Sequence, residues 1–462
     1  MTTRNEGIAM IGKRPAASAG LGFSALFAAA VGVIVAQISM ASSAQGIGIG
    51  GWGFVAALVI AFALSMANAL AYAEMSLMMP SQGSLSSFAE AAIGNFPAIM
   101  LVFAGYVTPA MFGLPAELIL ADQILTQTVG LALPKYFWPV ALVVVFAVLN
   151  ILGTDVFARV QTALSFVVLL FLGVTGLLAL SGGAAAAPDA AAGLAQLAQG
   201  TTVLSLVALA FWVFAGIEFV TPLVTEARDA RRDLPRAMVL GLIAIFVAQL
   251  VFVAGAVAFV PRQQLASSPT PHLDFVVAVF GPNAKLAFAA LALIASASLI
   301  NTVLAAVPRM LWGMAMNGQV FPLFKQMHAT RGTPMVAIAF VAALPLVGLA
   351  WSGGDVNAIL PLMIAASVAW LFAYIMAQVS LIVLRVRYPQ MTRPFRVPGY
   401  PVVPVLAIIG MGVVVANCSP APELTADIVK YTGIVLGVFA VVGAAWVKLV
   451  MKRGLFEPVA PR

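Results

Sequence analysis

The chain has 462 residues, 63% of them hydrophobic and 8% charged, with a mean hydropathy of +1.07. A soluble protein of this length needs charge over most of its surface, so this one is solvated by lipid. The formal charge of +7 raises nucleic acid as a partner, but its distribution assigns it to topology instead, and the single Cys418 excludes an internal disulfide or a cysteine-built metal site.

Apolar windows of roughly 20 residues, each able to cross about 30 Å of hydrocarbon, recur along the whole chain. They cover 21–43, 52–78, 97–126, 136–154, 156–181, 201–226, 237–260, 284–308, 334–351, 357–384, 402–418 and 428–450. The pattern predicts an all-α polytopic membrane protein with twelve transmembrane helices and no segment large enough for a soluble domain. The first window follows a basic tail (1–20) that contains Arg4, Lys13 and Arg14. It is too long for a signal peptide and is expected to stay in place. With the N-terminus inside, nineteen Lys and Arg fall on the inner side and only Lys135, Arg262, Lys285 and Lys430 fall outside. That asymmetry supports an even helix count, both termini in the cytoplasm and an inner-membrane location.

Two outer connectors are long, "SGGAAAAPDAAAGLAQLAQG" (181–200), a flexible low-complexity segment, and "PRQQLASSPTPHLD" (261–274). Inside, 226–237, 316–334 and the Pro/Arg-rich 385–404 hold nearly all the charge, the last reading as a rigid connector at the inner headgroups. His272 and His328 fall in loops on opposite sides, which argues against a histidine metal pair.

Helix-weakening residues sit at mid-membrane in two windows, the first (Val35–Gly46) and the sixth, "LAFWVFAGIEFVTPLVTEARD" (209–229), five helices apart. An inverted repeat of five plus five helices has this spacing, and its discontinuous first helices build a substrate site near the midplane. Backbone exposed at that depth is tolerated only beside a cavity. The predicted organisation is a first repeat at 21–181, a second at 201–384, two extra helices at 402–450 and a tail at 451–462.

In the sixth window, Gly216 and Pro222 flank Glu218, an ionisable group deep in the membrane. Such a group needs a cavity, a partner or a proton. Glu218 is therefore either a proton-titrating or cation-facing carboxylate, or a glutamate satisfied by backbone donors that holds the break in shape. Trp212 and Phe214 border the break, as aromatic walls over an amine or as ordinary packing. Glu74 and Glu226, near inner helix ends, read as arginine partners or caps. Glu117 and Asp122 read as outer-vestibule or interfacial charges. Asn301 and Thr302 place hydrogen-bonding groups mid-span, where an inter-helix bond is the commoner use. "GIGIGG" (46–51) lacks the lysine and the preceding strand of a phosphate loop.

Four stretches together resemble one family, the amino acid–polyamine–organocation permeases. They are "LAYAEMSLMMPSQGSLSSFAEAAIGNFPAIMLVFAGY" (70–106), "FAGIEFVTPLVTEARDARRDLPRA" (214–237), "RMLWGMAMNGQVFPLFKQMHATRGTPMVAI" (309–338) and "RPFRVPGYPVVP" (393–404). The resemblance implies a LeuT-type fold with alternating access and a substrate held between helices one and six. It also implies that Trp212 is a substrate-proximal aromatic and that Glu218 is linked to proton coupling. Two departures stand out. Counted back from Tyr72, the family's glycine-rich helix-one pattern falls on Gln37–Ala41, "QISMA", without its glycines. Some members carry a helix-five lysine in place of sodium; here the region beyond Gln161 has none, and Val167–Leu170 occupy it.

The reading is a secondary transporter of a small amino acid or organic amine, coupled to H+ or Na+ or working as an exchanger. Its expected site comprises Gln37, Ser39, Ala41 and Ser42 from helix one and Ala215, Gly216 and Ile217 from helix six. Trp212 serves as gate, Glu218 as coupling group, and Tyr106 and Asn301 as opposite wall. The alternative is a membrane sensor that binds ligand without flux. An enzyme needs clustered His, Cys or carboxylates at one interface, and the chain shows no such cluster; the implied partners are the substrate and the bilayer, and no motif encodes an oligomeric state.

Overall fold

The computed structural model describes residues 20–81, 85–130, 133–181, 202–419 and 422–461, and there the chain is helical with no β-strand. The outer connector 182–200 lies outside the described residues. The helices are α1 (Phe23–Val31), α2 (Gln37–Gly50), α3 (Trp52–Met78), α4 (Leu85–Ala92), α5 (Asn95–Val102), α6 (Thr108–Val129), α7 (Phe137–Leu152), α8 (Thr154–Ser181) and α9 (Val203–Phe211). They continue as α10 (Ala230–Phe259), α11 (Arg262–Ser267), α12 (Pro271–Phe280), α13 (Ala284–Met316), α14 (Met335–Ser352), α15 (Ile359–Arg387), α16 (Val402–Ala416) and α17 (Pro422–Ala445). A π-helical turn, Phe103–Val107, joins α5 to α6 without interruption, and a 3-10 helix, Ile217–Glu226, follows α9.

Eight of these segments are long and apolar enough to cross a membrane, and α7, α12 and α16 are shorter apolar helices. Each predicted window coincides with a helix or a broken helix. In the most apolar 18-residue stretches of the α5–α6 segment and α13, 89% and 83% of residues are buried, against 11% in that of α17, so α17 lies at the outside of the bundle while the first two form its interior.

The first helix breaks at Gly32–Ala36, between α1 and α2, starting three residues before the expected Val35–Gly46 stretch and overlapping only its first two residues. The polar run from Gln37 is continuous α-helix. Gly32 and the β-branched Val33, Ile34 and Val35 all resist helix. The polar run stays helical because its groups are packed inside protein; Ser42 Oγ, for example, donates to the Leu209 carbonyl at 2.9 Å. The later glycines also differ from expectation. A Cβ on Gly48 would stand 2.4 Å from the Ala266 nitrogen, and one on Gly50 would stand 2.3 Å from Leu206 Cδ1. They admit close neighbours within the helix, and only Gly51, at φ +51°, makes the turn into α3. The outer connector 261–274 is likewise structured, as α11 and the start of α12. Arg262 donates to the carbonyls of Gly48 and Ile49 at the end of α2, at 2.7 and 2.6 Å.

At the other ends of α3 and α15, Glu74 accepts two bonds from Arg385 (2.8 and 2.5 Å) and one from the Val397 amide (2.6 Å). Arg393 completes the cluster at 3.3 Å from Glu74. The Pro/Arg-rich connector is thus fastened to the helices by inward-turned arginines. Glu226, read as an arginine partner, meets Arg309 at 3.3 Å. Because Glu74 is fully buried, removing its charge leaves two guanidinium groups unmatched. Glu74→Gln is expected to cost about 3 kcal/mol, seen as a lower midpoint of thermal unfolding in detergent. Arg331→Gln, at an exposed position, is expected to leave the midpoint unchanged.

Candidate functional site

The two interruptions meet in the interior. The second is Trp212–Gly216, between α9 and the 3-10 helix, as expected. Gly216 has φ +109°, and a Cβ there would fall 2.5 Å from Val33 Cγ1 of the first break. Only glycine satisfies both the left-handed conformation and the close approach.

Glu218 lies in the first turn beyond Gly216 and is fully buried. The Tyr374 hydroxyl of α15 donates to its Oε2 at 2.5 Å, and the Tyr106 hydroxyl donates to its Oε1 at 3.1 Å. Tyr374 Oη in turn accepts the Gly216 amide at 3.1 Å, so one phenol links the break's backbone to the carboxylate. Tyr72 Oη of α3 stands 3.5 Å from Tyr106 Oη. Side-chain hydroxyls from three other elements therefore surround Glu218. Over them lies an aromatic layer, Trp212 against Trp370 at 5.3 Å and Phe219 against Tyr106 at 5.1 Å. The Trp212 ring fits only because α6 has Gly113 beneath it, where a Cβ would come within 2.3 Å.

A second carboxylate serves the first break. Glu117 of α6 accepts the amides of Gln37 and Ile38 at 3.1 and 2.7 Å, the first-turn donors of α2, and the Ser296 hydroxyl at 2.6 Å. It caps the positive end of that helix from within the chain. The sequence read Glu117 as an outer-vestibule or interfacial charge; the structure buries it completely beside the break. Asp122, further along α6, is partly exposed. Neither Glu117 nor Glu218 forms an ion pair among the described residues. Two buried carboxylates held by neutral donors form a region suited to a proton or a cationic group.

Other predicted residues divide. Gln37 and Ser39 are buried with side-chain polar atoms that have no hydrogen-bond partner among the described residues. Ser42 is engaged with α9, and Ala41, Ala215 and Ile217 are buried at the breaks. Asn301 turns to a different network. It donates to Gln161 Oε1 and accepts from Asn150, each at 2.9 Å. Gln161 donates to Ser165 and Ser298, both at 2.8 Å, and those hydroxyls donate to the carbonyls of Ala28 (3.0 Å) and Gly32 (2.9 Å). Asn301 thus braces the first break through α8 and α13. The residues missed from sequence were Ser296, Trp370 and Tyr374, and Glu117 was named but given a different place. For Glu117 a signal existed, an ionisable side chain far inside an apolar segment.

Two interrupted helices that meet in the interior of a bundle of apolar helices define a multi-pass membrane protein. Residues 21–443 match the amino acid permease family, and the chain belongs to it. The branched-chain amino acid permease BcaP of Bacillus subtilis is 25% identical over 410 residues, covering 82% of this chain and 83% of that protein. An uncharacterized transporter of Mycobacterium bovis and one of Mycobacterium tuberculosis are each 29% identical over 241 residues, about half of either chain. The protein is a membrane transporter and not an enzyme.

Gly216→Ala is expected to lower the thermal unfolding midpoint, by about 1–3 kcal/mol of backbone strain and by the collision with Val33. Adding Val33→Ala should recover only the steric part. Full recovery in the double variant would show that the left-handed conformation contributes nothing.

Proposed function

We propose that the chain crosses the inner membrane twelve times with both termini in the cytoplasm. In this reading it has the LeuT-type arrangement of two five-helix repeats, 21–181 and 201–384, and two further helices. It moves a small amino acid or organic amine by alternating access. The observation that carries the proposal is the meeting of the two breaks around Glu218, with their helices five positions apart in the predicted order. The likeness to a protein named as a branched-chain amino acid permease, together with the aromatic layer of Trp212, Phe219 and Trp370, favours an amino acid with an apolar side chain. Gln37 and Ser39 then take its polar groups, the Ala215–Ile217 backbone lines the facing side, and Trp212 closes over it.

Proton coupling through Glu218 is the coupling we infer. A carboxylate shared between the Tyr106 and Tyr374 hydroxyls changes its bonding to both when it gains a proton, and the Gly216 amide follows through Tyr374. For sodium, the carbonyls of Ala28 and Gly32 at the first break are the natural oxygens. They are already bonded by the Ser165 and Ser298 hydroxyls, which Gln161 holds in place. Alternating access has a matching inner closure. The Leu21 amide donates to the Glu226 carbonyl at 2.8 Å and the Arg228 amide to the Leu21 carbonyl at 2.9 Å, which ties the two broken helices together. The Glu226–Arg309 pair links that unit to α13.

The test is uptake of radiolabelled leucine, and in parallel of putrescine, into proteoliposomes under an imposed proton or sodium gradient. The wild type should respond to the proton gradient. Glu218→Gln should remain folded and lose at least tenfold of the gradient-driven rate, about 1.4 kcal/mol. Unchanged uptake with unchanged pH dependence in that variant would remove Glu218 from the mechanism, and ligand binding without flux in the wild type would favour a sensor.

A further inference from the structure

The start of α10, from Arg232 to Leu240, borders an open crevice of about 620 Å³. Arg232 and Arg236 stand in it one helical turn apart, with Phe23 of α1 and Phe395 of the connector before α16 forming apolar walls. Neither arginine forms an ion pair among the described residues. Asp233 also lines the crevice and pairs with neither, so the two guanidinium groups leave a net positive charge there. Arginine at a water–lipid boundary has a fork of donors that matches phosphate.

The same face continues as hydrocarbon. Leu240, Ile243 and Val247 are 47%, 42% and 53% exposed, and with Arg236 they follow helical spacing, so they form one stripe on α10. From Arg236 to Val247 the stripe runs for about 16 Å, at 1.5 Å per residue. Charge at its head and an apolar track below it fit an amphiphile whose headgroup is anionic.

We propose that this crevice binds an anionic phospholipid of the inner leaflet, its phosphate on Arg232 and Arg236 and an acyl chain along Leu240, Ile243 and Val247. The inference rests on the orientation proposed above, which puts the start of α10 at the cytoplasmic surface. A free phosphate would use the arginines but not the stripe. A bound lipid also spans from α10 to Phe23, so its occupancy ties the first broken helix to α10.

The test uses the full chain in detergent, with bound lipid counted by native mass spectrometry and thermal unfolding followed in parallel. Phosphatidylglycerol, phosphatidylcholine with the same acyl chains, and inorganic phosphate are added separately. Phosphatidylglycerol should bind and raise the midpoint, and the other two should not. The double variant Arg232→Ala, Arg236→Ala should bind phosphatidylglycerol about thirty-fold more weakly, while Arg231→Ala, which lies outside the crevice, should match the wild type. Should the double variant fail to fold, Arg236→Gln alone should weaken binding about fivefold. Equal binding of phosphatidylcholine, an equal effect of inorganic phosphate, or wild-type affinity in the arginine variants would overturn the proposal. The readout does not depend on flux, so absent transport in the wild type would count against the transporter reading and leave lipid binding as it stands.

Discussion

A helix that stops inside hydrocarbon leaves amides and carbonyls with no water to bond them, and each costs several kcal/mol unless protein supplies a partner. The interior of this permease is organised around that requirement. Glu117 serves the amides that open α2. Tyr374 serves the Gly216 amide. Ser298, held by Gln161, serves the Gly32 carbonyl where α1 ends. These partners come from α6, α13 and α15, and α6 and α13 lie among the most buried segments of the fold. The core helices are therefore shaped by what the two broken helices need, and their apolar packing surrounds a small number of polar side chains aimed at two short stretches of backbone.

The same constraint explains why the two breaks respond together. Gly216 has no Cβ and lies against Val33, so neither interruption can change conformation without the other feeling it. A bridge between Leu21 and Ala227 repeats the connection at a second point. Joined at these two points, the two interrupted helices form one mechanical unit. Its bonds to the rest of the protein near Glu218 are hydroxyl–carboxylate contacts, which can be exchanged one at a time.

Much of this architecture was legible in the chain because bilayer thickness dictates the length of apolar runs; α3 occupies its predicted window residue for residue. The second break was legible for a similarly direct reason, since Gly216 must adopt a left-handed conformation and no partner can substitute for that. The first break differs from its expected place because polarity does not mark an interruption here. Gln37, Ser39 and Ser42 are helical, and the chain breaks instead at apolar residues whose sequence looks like ordinary membrane helix. Polarity indicates where partners are needed; glycine and β-branching indicate where a helix is weak, and here the two signals are five residues apart. Glu117 was misjudged because a window fixes a helix's existence and not its depth against its neighbours. Tyr374 and Trp370 gave no sign, being common residues whose role comes from helices far away in sequence.

The two carboxylates also differ in a way that separates architecture from mechanism. Glu117 accepts two backbone amides and a serine, donors that are fixed by the start of one helix and by another helix's packing. Glu218 accepts two phenols, and a phenol can rotate its proton toward another acceptor without moving its ring. A charge held by backbone amides is anchored for as long as the helix exists, whereas a charge held by rotatable hydroxyls can be gained or lost with little rearrangement. On that physical distinction Glu117 fixes the start of α2, whereas the Tyr106 and Tyr374 bonds to Glu218 come from side chains that can re-orient.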